Sequence, residues 1–176
     1  MSLLCDDESN GQVVLEDLPR TAISSWTSPV WTPELFREIC ITVEGVQSAF
    51  SYLRFQANAD SGNNYEDFGV NGTVGGGVAL DGAAFGSNGF ARLGVITPAS
   101  VNATIQHKIW FSPRVTGTMR LGKCDACAFL LGGNTSDVFK RDVPFAWNDV
   151  VTPVTFVTLS WNAVTFTGRI RIVGYP

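Results

Sequence analysis

VTFTGRIRIVGYP, residues 164–176, alternates apolar and polar positions. Val164, Phe166, Ile170 and Ile172 share one face, and Thr165, Thr167, Arg169 and Arg171 share the other. A period of two over this length predicts a half-buried β-strand, apolar side to a core and polar side to water. Gly168 takes the middle position of the apolar face, which predicts a bulge or a very close neighbour. A strand so near the end of a sequence is expected inside a sheet, because a free end frays.

The same period recurs upstream. In EICITVEGV, residues 38–46, Ile39, Ile41 and Val43 line up, and FSYLRFQA, residues 50–57, follows after a short connection that suits a hairpin. In TIQHKIWFS, residues 104–112, Ile105, His107, Ile109 and Phe111 face one way and Gln106, Lys108 and Trp110 the other. Further strands are predicted over residues 92–97, 117–121, 126–131 and 152–161, the last joined to the final strand by a hairpin through Asn162 and Ala163. The sum is about eight to ten strands, with turn signals between them and no helical period, which predicts an all-β antiparallel sandwich. Residues 58–89 carry nine glycines and are expected to be a long loop-rich region with room for short β elements such as Val78-Ala79-Leu80, the place to look for partner or ligand contact. Residues 1–37 hold Pro19, Pro29 and Pro33 beside Trp26 and Trp31. Gln12-Val13-Val14-Leu15 could form a short strand, but proline denies a ladder donor, so the stretch as a whole reads as an N-terminal arm, with the sandwich domain over residues 38–176. Its tryptophans need cover, from the edge of the body or from a neighbouring subunit.

With 176 residues, 45% of them apolar and 16% charged, the chain is long enough for one self-sufficient core. Its net charge is −4 and it has no basic run. That argues against nucleic-acid binding, which needs a Lys/Arg footprint, and against docking on anionic membranes. No segment reaches membrane-spanning length. The opening MSLLCDDE turns acidic at once and lacks the basic flank of a secretory leader, so synthesis in a cytoplasm is expected.

Cys40, between Ile39 and Ile41, reads as a small buried hydrophobe. Cys124 and Cys127 form a C-x-x-C that reads as a β-turn. A redox role would need a βαβ context, and a zinc site would need two more ligands from His107, Cys5 and Cys40. Cys5, Cys124 and Cys127 remain candidates for a disulfide, within the chain or between subunits in an oxidising medium. His107, the only histidine, sits on an apolar face and reads as an interior residue. Asp60, Glu66 and Asp67 read as loop charges, since glycoside hydrolysis needs two carboxylates held across a cleft. No catalytic residue, metal ligand or cofactor is predicted. Arg169 and Arg171 form a polar stripe that reads as a solvent face or a subunit contact.

The closing pattern of apolar-x-Phe166-x-Gly168-x-Ile170-x-Ile172-x-Gly174-Tyr175 resembles the last strand of small β-sandwich proteins in tailed-bacteriophage particles. Trp26, Phe36 and the run from Ile39 to Val46 resemble that group's opening strand, Tyr52 to Gln56 its second, and Asp60 to Tyr65 its polar turn. The chain closes on Val-Gly-Tyr-Pro where the group more often has Leu-Tyr-Gly. The resemblance implies a jelly-roll-like sandwich and a non-enzymatic structural role as capsid decoration, neck or collar protein, or tail appendage. It also implies a place in the virion, a homo-oligomer with a trimer preferred, and other virion proteins as partners. Trp26, Trp31, Tyr65, Arg169 and Arg171 are then the candidate contact residues. The alternative is a receptor- or carbohydrate-binding domain of a fibre, with a host-surface glycan stacked on an exposed Trp26, Trp31, Tyr65, Trp110 or Trp147.

Overall fold

A computed structural model describes residues 11–49, 51–73, 79–93, 103–114, 117–130 and 138–176. Among the described residues every regular element but one is a strand, the exception being a 3₁₀ turn at Pro33–Leu35. The strands are β1 (Val13–Ile23), β2 (Ser25–Thr27), β3 (Glu38–Gln47), β4 (Leu53–Ala57), β5 (Tyr65–Thr73), β6 (Ala79–Asn88), β7 (Ala91–Leu93), β8 (Ala103–Phe111), β9 (Arg120–Leu130), β10 (Val138–Trp147), β11 (Val157–Trp161) and β12 (Phe166–Tyr175). They make an eight-stranded sheet, β1-β12-β3-β8-β9-β10-β5-β6, and a four-stranded sheet, β2-β11-β4-β7. All pairings are antiparallel.

The chain is an all-β sandwich, as its alternation predicts. Burial follows the period: β8 is buried at every second residue from Ala103 to Phe111, and β4 and β11 behave likewise. Ile39, Ile41 and Val43 of β3, Ile105 and Ile109 of β8, and Phe166, Ile170 and Ile172 of β12 face Leu53, Phe55, Val157 and Leu159 of the small sheet in one core cluster. Burying so many large apolar side chains, at about 1.5–3 kcal/mol each, drives the two sheets together. The pairs β3–β12, β4–β11 and β5–β10 are nested, first with last, which is the winding of a jelly roll. The β8–β9 hairpin lies between β3 and β10 in the middle of the large sheet.

The final strand lies between β1 and β3, and Gly168 marks a close approach. A Cβ there would sit 2.1 Å from the Glu44 carbonyl oxygen and 2.6 Å from the Gly45 Cα. Gly45 is its register partner. The two bare positions leave room for the Phe166 ring, which stacks on Trp161 with centroids 4.8 Å apart.

Several expectations are corrected. Neither predicted hairpin exists: β3 and β12 lie in the large sheet and β4 and β11 in the small one, so both short connections are corners between sheets. The glycine-rich stretch is not chiefly loop, because β5 and β6 occupy most of it. The C-x-x-C is not a turn, because β9 runs through it unbroken. The expected arm, from Val13 onward, is part of the sandwich. Here β1 edges the large sheet, and after Ser24 the chain enters the small sheet as β2. Ala22 has a left-handed φ of 51° at this crossing, and the backbone N–H of Trp161 donates to the Ser24 carbonyl at 2.8 Å. Residues 1–10 lie outside the described residues.

Candidate functional site

The predicted contact residues divide by burial. Trp26 is 6% exposed and Trp31 5%, so the body covers both tryptophans. The Trp26 indole N–H donates to the Glu16 carboxylate at 2.9 Å, and the Trp31 N–H to the Val154 carbonyl at 2.7 Å. Tyr65 is fully buried. Its hydroxyl accepts from the Ala57 N–H at 2.9 Å, and its ring stacks on Trp147, which is also buried. Burial raises the Tyr65 pKa. These side chains hold the fold together and present no surface to a subunit or a sugar.

Arg169 and Arg171 do reach the outer face of the large sheet. The exposed Arg169 grips Asp17 of β1 through both carboxylate oxygens, one of them at 2.7 Å. That hydrogen bond lowers the Asp17 pKa and raises the Arg169 pKa. Arg169 thus clamps the edge strand to its neighbour within one chain. Arg171 beside it is half-buried.

The loop acids are also occupied. Asp60 accepts from the Gly62 N–H at 2.8 Å, the Asn64 amide at 3.0 Å and the Trp147 indole at 2.7 Å. Burial pushes its pKa up, but these donors outweigh it and leave the carboxyl below its ordinary range. Asp67 is buried and takes the Arg92 backbone N–H at 3.0 Å and its guanidinium at 3.2 Å, tying β5 of the large sheet to β7 of the small one. Both carboxylates are spent on structure, and Glu66 faces an apolar hollow with Phe68, Leu121 and Pro144.

Cys40 departs from its predicted role. Cys40 is not a lone hydrophobe: it is disulfide-bonded. Cys124 and Cys127 are not bridged but remain thiols. Three positions apart in a strand, they point to opposite faces with Cα atoms about 10 Å apart, too far for one disulfide. Cys124 faces the core and Cys127 the outer side, where burial raises its pKa. Cys5 lies outside the described residues. Among the described residues no three His, Cys, Asp or Glu side chains converge on a metal position.

His107 and Arg141 are two of the polar side chains that the fold buries. Val43, His107, Ala126 and Arg141 stand in one row across β3, β8, β9 and β10. Arg141 was hidden in the charged run Lys140-Arg141-Asp142, yet it is fully buried, stretched over Gly69, whose missing side chain makes its room. Neither nitrogen of His107 has a hydrogen-bond partner among the described residues. Burial and the nearby Arg141 charge lower its pKa from 6.5 to about 4. The unfolded chain therefore binds a proton that the folded chain refuses between those values. The stability from the neutral imidazole is complete above pH 6.5 and is lost as pH falls toward 4, by about 3 kcal/mol in all. Urea titrations at pH 7.5, 6, 5 and 4 should show this slope, and His107→Leu should remove that share of it. An unchanged slope in the variant would contradict the assignment.

One aromatic site remains open. At the end of the large sheet where β3 and β9 begin and β8 and β12 finish, Arg37, Glu38, Trp110, Ser112, Lys123 and Tyr175 line a groove of about 710 Å³. Trp110 is half-buried on the outer face, with the Lys108 ammonium 4.9 Å and the Lys123 ammonium 5.9 Å from its ring centroid. Sequence alternation puts Trp110 on the polar face, but it does not show that the other tryptophans are enclosed.

No family model matches this chain, and no curated protein matches it. A solved structure titled "Structure of infectious bursal disease virus Gx strain" aligns with it at 12% identity, over 99% of this chain and 42% of that one, with a TM-score of 0.15. The chain thus spans less than half the length of that one, and a score of this size carries no argument about fold or function.

Proposed function

We propose that this chain is a non-enzymatic structural subunit of a tailed-bacteriophage particle, placed at the capsid surface, the neck or collar, or the tail. It works by binding copies of itself and other virion proteins. The observation that supports this reading is the edge strand β1. It has eleven residues, and it ends the large sheet among the described residues. Val13, Val14 and Leu18 on it are 43%, 51% and 46% exposed. A long edge with unpaired backbone groups and exposed apolar side chains invites pairing with another chain, and proteins that stay monomeric blunt such edges with charge, proline or cover. Pro19 and the charged Glu16, Asp17 and Arg20 do so only in its middle.

Light scattering after gel filtration, with and without reducing agent, tests the proposal. A defined homo-oligomer, preferably a trimer, is expected in both conditions, because the edge pairing it rests on is non-covalent. Replacing Val14 and Leu18 by lysine should return it to monomers with its circular dichroism intact. A wild-type monomer at micromolar concentration would overturn the reading.

A further inference from the structure

From the groove at the end of the large sheet we infer a carbohydrate-binding site, with Trp110 as its platform and Arg37 and Glu38 as its polar rim. A pyranose ring has an apolar face of C–H groups and a rim of hydroxyls. It therefore needs a flat aromatic surface flanked by donors and acceptors. Trp26, Trp31, Trp147 and Trp161 are all buried, which leaves Trp110 as the indole that the described structure presents to solvent.

Its surroundings match the requirement. The Lys108 and Lys123 ammoniums lie over the ring, and a sugar stacking on that face takes their place, its C–H groups meeting the same electron-rich surface. Lys123 is itself steadied by Asp125 at 2.8 Å. Arg37 and Glu38 are exposed side by side, and neither side chain has a partner among the described residues. A guanidinium offers a planar fork of donors, and a carboxylate offers two acceptors. Together they pair with adjacent hydroxyls, which present both a donor and an acceptor. The groove size lies within the range of small-ligand sites. The Arg37 donors and the Glu38 acceptors beside an indole favour a polyhydroxylated ligand over a fully apolar one.

This site does not depend on the assembly role: solution mass tests that role and ligand titration tests this site. The burial pattern supplies the probe, since a collisional quencher such as acrylamide reaches Trp110 in preference to the four buried indoles. Maltohexaose, cellohexaose, chitohexaose and a tetragalacturonate would be titrated against the full chain while intrinsic fluorescence and acrylamide quenching are followed. At least one should give a saturable change and shield Trp110. Trp110→Ala should weaken that binding by about tenfold or more, the scale of one lost aromatic contact. Arg37→Ala with Glu38→Gln, both on exposed side chains, should weaken it while leaving the fold and the quenching of the unliganded protein unchanged. No saturable change with any of the four sugars would overturn the inference. So would binding that survives both variants, or an oligomer that already shields Trp110 from acrylamide.

Discussion

Gly168→Val will cost about 4 kcal/mol or more, enough to leave most of the chain unfolded. The new Cβ would fall 2.1 Å from the Glu44 carbonyl oxygen and 2.6 Å from the Gly45 Cα. Both atoms are backbone of the paired strand, so no rotamer change relieves the contact. The strands β3 and β12 would have to separate, and their register runs from Gln47 with Phe166 at one end to Glu38 with Tyr175 at the other. The Phe166 ring, 2.7 Å from the same Cβ, would also leave its stack on Trp161. Ordinary overpacking costs about 1–3 kcal/mol, and a backbone clash inside a sheet lies beyond that range. Because the valine variant is expected in the insoluble fraction, Gly168→Ala supplies the measurable series by urea denaturation. Gly62→Ala is the control: the nearest atoms there are ends of the Asn64 and Asp60 side chains, which can move, and it should cost less than about 1 kcal/mol. A wild-type urea midpoint for Gly168→Ala would refute the packing account.

Trp31→Ala will cost about 3–5 kcal/mol, the range for truncating a large buried aromatic. Trp31 is 5% exposed, tilts against Phe111 at 6.2 Å and donates to the Val154 carbonyl. The backbone beside it is engaged too, with its own N–H donating to the Thr155 carbonyl at 2.9 Å. A dispensable arm would give a change near zero, so thermal and urea melts of this one variant separate the two descriptions of residues 11–37. Trp31→Phe should recover part of the loss, since it restores ring packing but not the indole hydrogen bond.

Strands whose inner face is continuous and apolar were legible in the sequence. Residues 104–112 and 164–176 alternate because water penalises every second side chain, and that penalty depends only on position along the strand. Legibility failed where the core holds something else. In β5 the inner positions are Tyr65, Asp67 and Gly69, which look like loop residues until Arg92 and Arg141 are set against them. The strand β10 was concealed by Lys140-Arg141-Asp142, whose middle member turns inward. The corners after β3 and β11 resemble hairpin turns in length and composition. Whether such a turn joins neighbours or crosses between sheets depends on pairings far away in the chain, and local residues do not encode it. Trp110 was legible as an outward residue, but its importance came from the burial of the other four indoles.

The crossing of β1 into β2 also governs how the molecule carries load. Val13 pairs with Gly174, so the two ends of the sandwich leave side by side from the same end of the large sheet. With the Cys40 disulfide reduced, tension drawn between them acts on the β1–β12 ladder as a zipper, parting its hydrogen bonds one at a time and not together. The peeling halts at Ser24, where the chain passes into the other sheet and Trp26 and Trp31 are sunk in the core. The first strand is therefore extensible slack, and the corner is the anchor that keeps a pull on the tether from reaching the rest of the fold.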